Sequence, residues 1–277
     1  MSYTERNSLP LQDYTDCIII IGGIALTSSE SDYEIRSTKP AHWRLWGTIL
    51  WGTTISVIFV VLQVATILVA VVSRSGRLSE SELAELLSSA ANDGYLFSLS
   101  TFVTSVVCCG LVVGVVKLKR GSILSEYLCI RPVPLRILMR WIGFLLGFIV
   151  LSDSLTALLG RPIVPPFMSA TYATGNSVWM IWVAVIIAGP LFEESFFRGF
   201  LFKGLESSFM GPIGAVLVAA SFWAAIHMQY DLYEMGIIFC LGLLLGAARV
   251  FTGSLLVPLG LHAAANLVAT IEVAILG

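Results

Sequence analysis

Glu193, Glu194 and Arg198 interrupt an otherwise apolar stretch, Gly189-Pro-Leu-Phe-Glu-Glu-Ser-Phe-Phe-Arg198. On a helix, Glu194 and Arg198 are four apart with the carboxylate on the N-terminal side, the favourable orientation for an ion pair. Glu193 points about 100° away and lacks that cation. Two adjacent carboxylates thereby acquire different roles. Glu194 is held ionised, and Glu193 is left free to take a proton as a general base. Pro190 loosens the helix one turn earlier. Two further pairs follow. Trp223 and His227 are four apart at the end of one apolar run, and His262 and Asn266 share a face of another. The alanines between His262 and Asn266 let a second helix approach closely. Taken singly, a helix-end histidine is commonly structural, and a His–Asn pair commonly glues two helices. Taken together, a base, a second imidazole and neutral donors are the parts of a site that activates water for hydrolysis.

The elements that must position these groups are membrane helices. Of 277 residues, 57% are hydrophobic and 12% charged, about half the charge of a soluble domain, where about 25% is usual. A charge at mid-membrane costs about 2.5–3.5 kcal/mol, so each one kept there is a functional candidate. Seven apolar runs are long enough, or nearly so, to cross the bilayer. They are Trp46–Val72, Tyr95–Val116, Trp141–Gly160, Ser177 into Glu193 and Glu194, Ser207–His227, Leu232–Ala248 and Val250–Ile271. Strand-like alternation is absent. The expected fold is all-α, a polytopic bundle of about seven spans with a four-helix catalytic core at its C-terminal end. Its parts are a polar tail (1–42), helices one to three with their loops (43–176) and the core (177–277). Rise arithmetic puts Glu193 about 16 Å and His262 about 12 Å from the inner ends of their helices, but His227 at about 25 Å. A tilt, or a break near Gly214, has to bring His227 level.

With the N-terminus in the cytoplasm and alternating spans, only Arg74, Arg77 and Arg161 of the 16 basic residues fall outside. That bias is the positive-inside pattern. It places the protein in a membrane, expected to be the plasma (inner) membrane, with its N-terminus cytoplasmic and its C-terminus outside. The apolar run Cys17–Leu26 follows Asp13 and Asp16 where a secretory signal carries positive charge, so no such signal is expected. Ser79–Leu87 reads as a short amphipathic helix with an acidic face. Five cysteines show no disulfide spacing and read as small buried hydrophobes. Asp153 and Glu234 read as helix-end residues exposed to headgroups. A net charge of −2 argues against nucleic acid as a partner.

At the polar cluster the sequence resembles the CAAX prenyl protease and bacteriocin-processing (CPBP, or Abi) family of intramembrane proteases. Its E-E-x-x-x-R motif is matched by Glu193, Glu194 and Arg198, with the Phe-Arg-Gly continuation at 197–199. Its F-x-x-x-H motif is matched at His227, with Trp223 in place of Phe, and its H-x-x-x-N motif by His262 and Asn266. The Thr252–Leu255 run, with Pro258 beyond it, is similar to the family's approach to the third motif. The resemblance covers residues from about 177 to 275. It implies that Glu193 and His227 position and deprotonate a water. It implies that His262 and Asn266 stabilise the oxyanion, and that Glu194 and Arg198 hold the site together, with Arg198 also a candidate to steer a substrate carboxylate. The implied partners are the lipid bilayer and a membrane-associated peptide or protein, prenylated C-terminal peptides being the eukaryotic family's substrate. No cofactor is expected to be obligatory. If a divalent metal such as zinc is bound, Glu193, His227 and His262 are its expected ligands, although no H-E-x-x-H spacing occurs.

Two other readings compete. A non-proteolytic immunity or scaffold protein of the same family needs none of the six residues for chemistry. A small transporter needs a continuous polar path and internal repeats, whereas polarity here is confined to one cluster.

Overall fold

The computed structural model describes residues 41–75, 79, 81, 84, 90, 92–174 and 178–277. The expected polar tail, its Cys17–Leu26 segment and most of the Ser79–Leu87 helix lie outside the described residues. What is described is helical, built from nine helices: α1 (Leu45–Ser75), α2 (Gly94–Leu118), α3 (Leu124–Tyr127), α4 (Leu135–Leu158), α5 (Pro166–Ala173), α6 (Val178–Glu206), α7 (Gly211–Ala225), α8 (Leu232–Thr252) and α9 (Leu256–Leu276). Helices α1, α2, α4, α6, α8 and α9 are long and apolar enough to cross a membrane, and α7 is an apolar helix of 15 residues. This is an integral membrane bundle.

Seven apolar helices match the seven expected runs, with shifted boundaries: α4 starts at Leu135 rather than Trp141, α9 spans Leu256–Leu276 rather than Val250–Ile271, and the fourth, fifth and sixth runs differ as follows. The fourth run continues past the two glutamates to Glu206, because its chain stays helical through two π-helical turns, Ala184–Ala188 and Ser195–Leu201. The fifth starts at Gly211, whose positive φ of 60° makes the turn. The chain breaks at Gly211, three residues before Gly214. At 15 residues α7 is about 22 Å long, short of the ~30 Å hydrocarbon core. His227 lies in the turn that follows it. The sixth run does not stop at Ala248. Helix α8 continues to Thr252 and ends on Gly253 in the left-handed region, so Arg249 is a buried helix residue rather than a loop charge.

Close helix approach fixes the bundle. Gly242 and Gly246 of α8 face α7, where an added Cβ would meet Ala220 at 3.0 Å and Val216 at 2.8 Å. This is the small-residue spacing that lets membrane helices pack backbone to backbone. Gly204 of α6 lies still closer to α1, where an added Cβ would overlap the Thr48 hydroxyl. Side chains close the helix ends. Asp93 accepts from the first N–H groups of α2, and Asp231 and Glu234 form a reciprocal capping box on α8, which satisfies donors otherwise left bare. Buried aromatic rings pack the centre. Phe196 lies 5.0 Å from Phe197 and 6.4 Å from Phe200, and Phe197 lies 5.4 Å from Phe222.

Candidate active site

Helix α6 presents both glutamates at mid-depth, and the neighbouring helices sort them. Glu194 is completely buried, while the Glu193 side chain keeps 21% of its surface exposed. Arg198 Nη1 donates to Glu194 Oε1 at 2.7 Å, and His262 Nδ1 lies 2.9 Å from the same oxygen. A carboxylate accepts only, so Nδ1 of His262 carries the proton and Nε2 is the nitrogen turned towards Glu193. The Arg198 guanidinium also lies 4.5 Å over the Trp223 ring, a cation–π contact strengthened by burial. Its Nη2 points at the Gly242 carbonyl, 3.4 Å away. The expected Glu194–Arg198 pair is thus present and sealed. Arg198 is 1% exposed, pairs with Glu194 and lies outside the cavity lining.

Glu193 is not the unpartnered carboxylate expected from its position on the helix. The Trp223 indole N–H donates a short hydrogen bond to Glu193 Oε2, and His262 Nε2 lies 4.0 Å from that oxygen. That gap exceeds a direct hydrogen bond and suits one bridging water. Trp223 stands edge-on between the two imidazoles, with centroids 5.2 Å from His227 and 5.1 Å from His262. His227 Nδ1 lies 2.7 Å from the Trp223 carbonyl, which fixes the proton on that nitrogen and leaves Nε2 as its free atom. Asn266 donates through Nδ2 to the Val185 carbonyl at 2.7 Å. Val185 belongs to the first π-helical turn, a feature often found at functional sites. One Asn266 N–H and its Oδ1 remain available. Arg249 makes the matching contact at the second π-helical turn, Nε to the Arg198 carbonyl at 3.1 Å.

Glu193, His227, His262 and Asn266 all line one cavity of about 490 Å³, together with Gly189 and Tyr230. Glu194 and Arg198 lie behind its wall. The cavity runs outward between α2, α4, α5, α8 and α9. Asp153, Glu234 and Glu272 line it too, so Asp153 and Glu234 face this space as well as lying near helix ends. Asp153 and Glu272 are within side-chain hydrogen-bonding reach of each other. Tyr230 packs against His227 at 6.2 Å and Phe167 at 5.5 Å. Burial pushes its phenol well above the usual tyrosine range, and the Glu234 and Glu193 carboxylates push the same way, so it remains a neutral O–H group. Asp231 at the rim pairs with Arg161. Among the described residues, no group of three His, Cys, Asp or Glu side chains could hold a metal ion. Glu193, His227 and His262 share one cavity.

Sequence reasoning missed Trp223 as a donor to Glu193, the bond from Arg249 to α6, and the acidic side chains above the site. Arg249 had one available signal, a basic residue inside an apolar run that never loses its helical continuity. The other contacts depend on how helices meet, which no local spacing reveals.

Residues 175–268 match the model of the Rce1-like family, described as type II CAAX prenyl endopeptidases. An uncharacterized 24.3 kDa protein of Escherichia coli is 30% identical over 160 residues, covering 51% of this chain and 73% of the relative. The chain belongs to the Rce1-like family. No solved structure matches it. The six residues of the polar cluster all lie inside the matched segment, and the Rce1-like family is one of membrane-embedded CAAX-type proteases. The sequence resemblance to intramembrane proteases is therefore upheld, and the protein's setting is the lipid bilayer.

Proposed function

We propose that this Rce1-like protein is an intramembrane endopeptidase that cleaves a membrane-associated peptide with water activated by Glu193. The observation that carries the reading is the division between two adjacent carboxylates. Glu193 faces a cavity with His262 Nε2 at 4.0 Å, while Glu194 is sealed against Arg198. A water between Glu193 and the imidazoles gives one proton to Glu193 as its oxygen attacks the peptide carbonyl carbon. His227 Nε2 accepts from that water and aims it. In its protonated form His262 donates from Nδ1 to Glu194 and offers Nε2–H to the developing oxyanion. That form balances two carboxylates against two cations in a site with little solvent. The free N–H of Asn266 is the second donor. As the C–N bond breaks, the proton on Glu193 passes to the leaving nitrogen, giving a carboxylic acid and an amine. This route uses no resident metal, so turnover should survive exhaustive dialysis against a chelator.

The decisive experiment is Glu193→Ala in the purified full chain, assayed for peptide cleavage in detergent. General-base catalysis contributes about 10²–10⁴-fold, so turnover should fall by at least about 100-fold with unfolding temperature little changed. Undiminished cleavage rejects the mechanism, and an intact cellular phenotype in the same variant supports the scaffold reading instead.

A further inference from the structure

The cavity and the positive charge of this protein lie at opposite ends of the bundle. One end gathers the start of α1, the end of α2, α3, the start of α4, and the α8–α9 turn. The contacts that assemble it include Trp43 N–H to the Tyr127 hydroxyl, the Lys119 ammonium over the Trp43 ring at 5.3 Å, the Ser254 hydroxyl to the Arg131 carbonyl, and Leu255 N–H to the Cys129 carbonyl at 2.9 Å. Arg44, Lys117, Lys119, Arg120, Arg131 and Arg136 sit in these segments. The opposite end joins α5 to the starts of α2 and α8 and the end of α9. Its ties are Thr174 to Gly94 N–H, Tyr172 to Thr270, Thr156 to Tyr233, and Arg161 to Asp231. Among the described residues with described side chains, its charges are acidic apart from Arg161.

Every wall of the cavity belongs to this second end. Helices α2 and α6 run in the same direction, and both face the cavity with their first halves: α2 contributes Phe97 to Ser105 and α6 contributes Ile181 to Glu193. Helix α9 contributes only residues from His262 onward, and α4 only Ser152 to Thr156. Towards the basic end the path is filled. Phe196, Phe197, Phe200 and Leu201 are buried below the glutamates. Segments rich in Lys and Arg stay on the cytoplasmic side of a membrane.

We propose that the active site takes its substrate from the non-cytoplasmic face of the membrane. The substrate class that follows is a peptide segment already across the bilayer, either a translocated peptide or the outer end of a membrane-anchored one. A prenylated tail presented from the cytoplasm meets the closed aromatic layer instead. The cleavage part of this statement rests on the peptidase reading, and the direction of opening does not.

Two measurements separate these parts. Gln229 is exposed at the cavity mouth, and Arg120 is exposed at the basic end. In intact cells, a membrane-impermeant maleimide should label Gln229→Cys above the background of the unaltered chain. It should label Arg120→Cys only after the membrane is opened. The reverse pattern overturns the proposed orientation, as does equal labelling of both. The second measurement uses one reporter peptide held by a single-span anchor on either side of proteoliposomes containing the full chain. Cleavage at least tenfold faster on the side from which the Gln229→Cys variant is labelled supports the proposal. Faster cleavage on the side from which the Arg120→Cys variant is labelled overturns it. No cleavage on either side, with labelling as expected, overturns the peptidase reading and the assigned substrate class while the direction of opening stands.

Discussion

Towards its N-terminal end, α2 carries Ser98, Ser100, Thr101, Thr104 and Ser105, whereas its other half carries Cys108, Val112, Val115 and Val116. The first half borders the cavity and the second packs against buried side chains. The hydroxyls of Ser98, Ser100, Thr101 and Thr104 donate to carbonyls three or four residues back on their own helix, a habit that satisfies them without a partner helix. One end of the bundle is thus lined by small polar groups that need nothing from their neighbours, and the other is filled by rings and branched chains. Glu193 and Glu194 stand at the junction. The contrast shows that the depth of the site is set by where packing stops, since the helices themselves continue past it in both directions.

The most damaging way to disturb that junction is Glu194→Ala, which leaves the Arg198 cation buried without its carboxylate. Stripping one partner from a buried pair costs about 3–5 kcal/mol, read as lost stability in denaturant unfolding of the detergent-solubilised protein. If it costs no more stability than Glu193→Ala, the two glutamates are not differently placed. Within the filled half, Gly204→Val drives carbon atoms into Thr48 and should cost about 1–3 kcal/mol as overpacking, by the same measurement. Within the hollow half, Thr104→Val removes one hydroxyl that serves its own helix. A loss below about 0.6 kcal/mol is expected, the average for polar contacts between membrane helices, because this hydroxyl bonds only within its own helix. Equal losses at positions 204 and 104 would erase the distinction between the halves. The smallest effect belongs to the rim. The Asp231 carboxyl is held below the usual aspartate range, chiefly by the Glu234 backbone N–H and then by Arg161. Its stabilising contribution is complete above the unfolded value of ~3.9 and is lost as pH falls through the lower folded value. Asp231→Asn should therefore lower the unfolding temperature slightly at neutral pH, and the difference from the parent protein should close on acidification.

Much of this arrangement can be read from residue order. Long uncharged runs announce the membrane helices, because few other solutions hide so much apolar surface. The Glu194–Arg198 pair follows from a spacing of four, which brings side chains together even where the local winding departs from α-helical. The two π-helical turns carry no comparable mark. Each depends on a side chain from another helix, Asn266 at Val185 and Arg249 at Arg198, and such contacts exist only after the bundle closes. For the same reason Trp223, which in sequence only stands in place of a phenylalanine, turns out to be a donor to Glu193. The short α7 lies within a longer apolar run, Ser207–His227, and the mark of its start is the Gly211-Pro212 pair.

Trp223 also leaves the general-base candidate lopsided. Its indole occupies Glu193 Oε2, whereas Oε1 lies 3.5 Å from the point where a methyl on Gly189 would stand. A side chain at position 189 would therefore crowd the carboxylate oxygen that the indole does not reach.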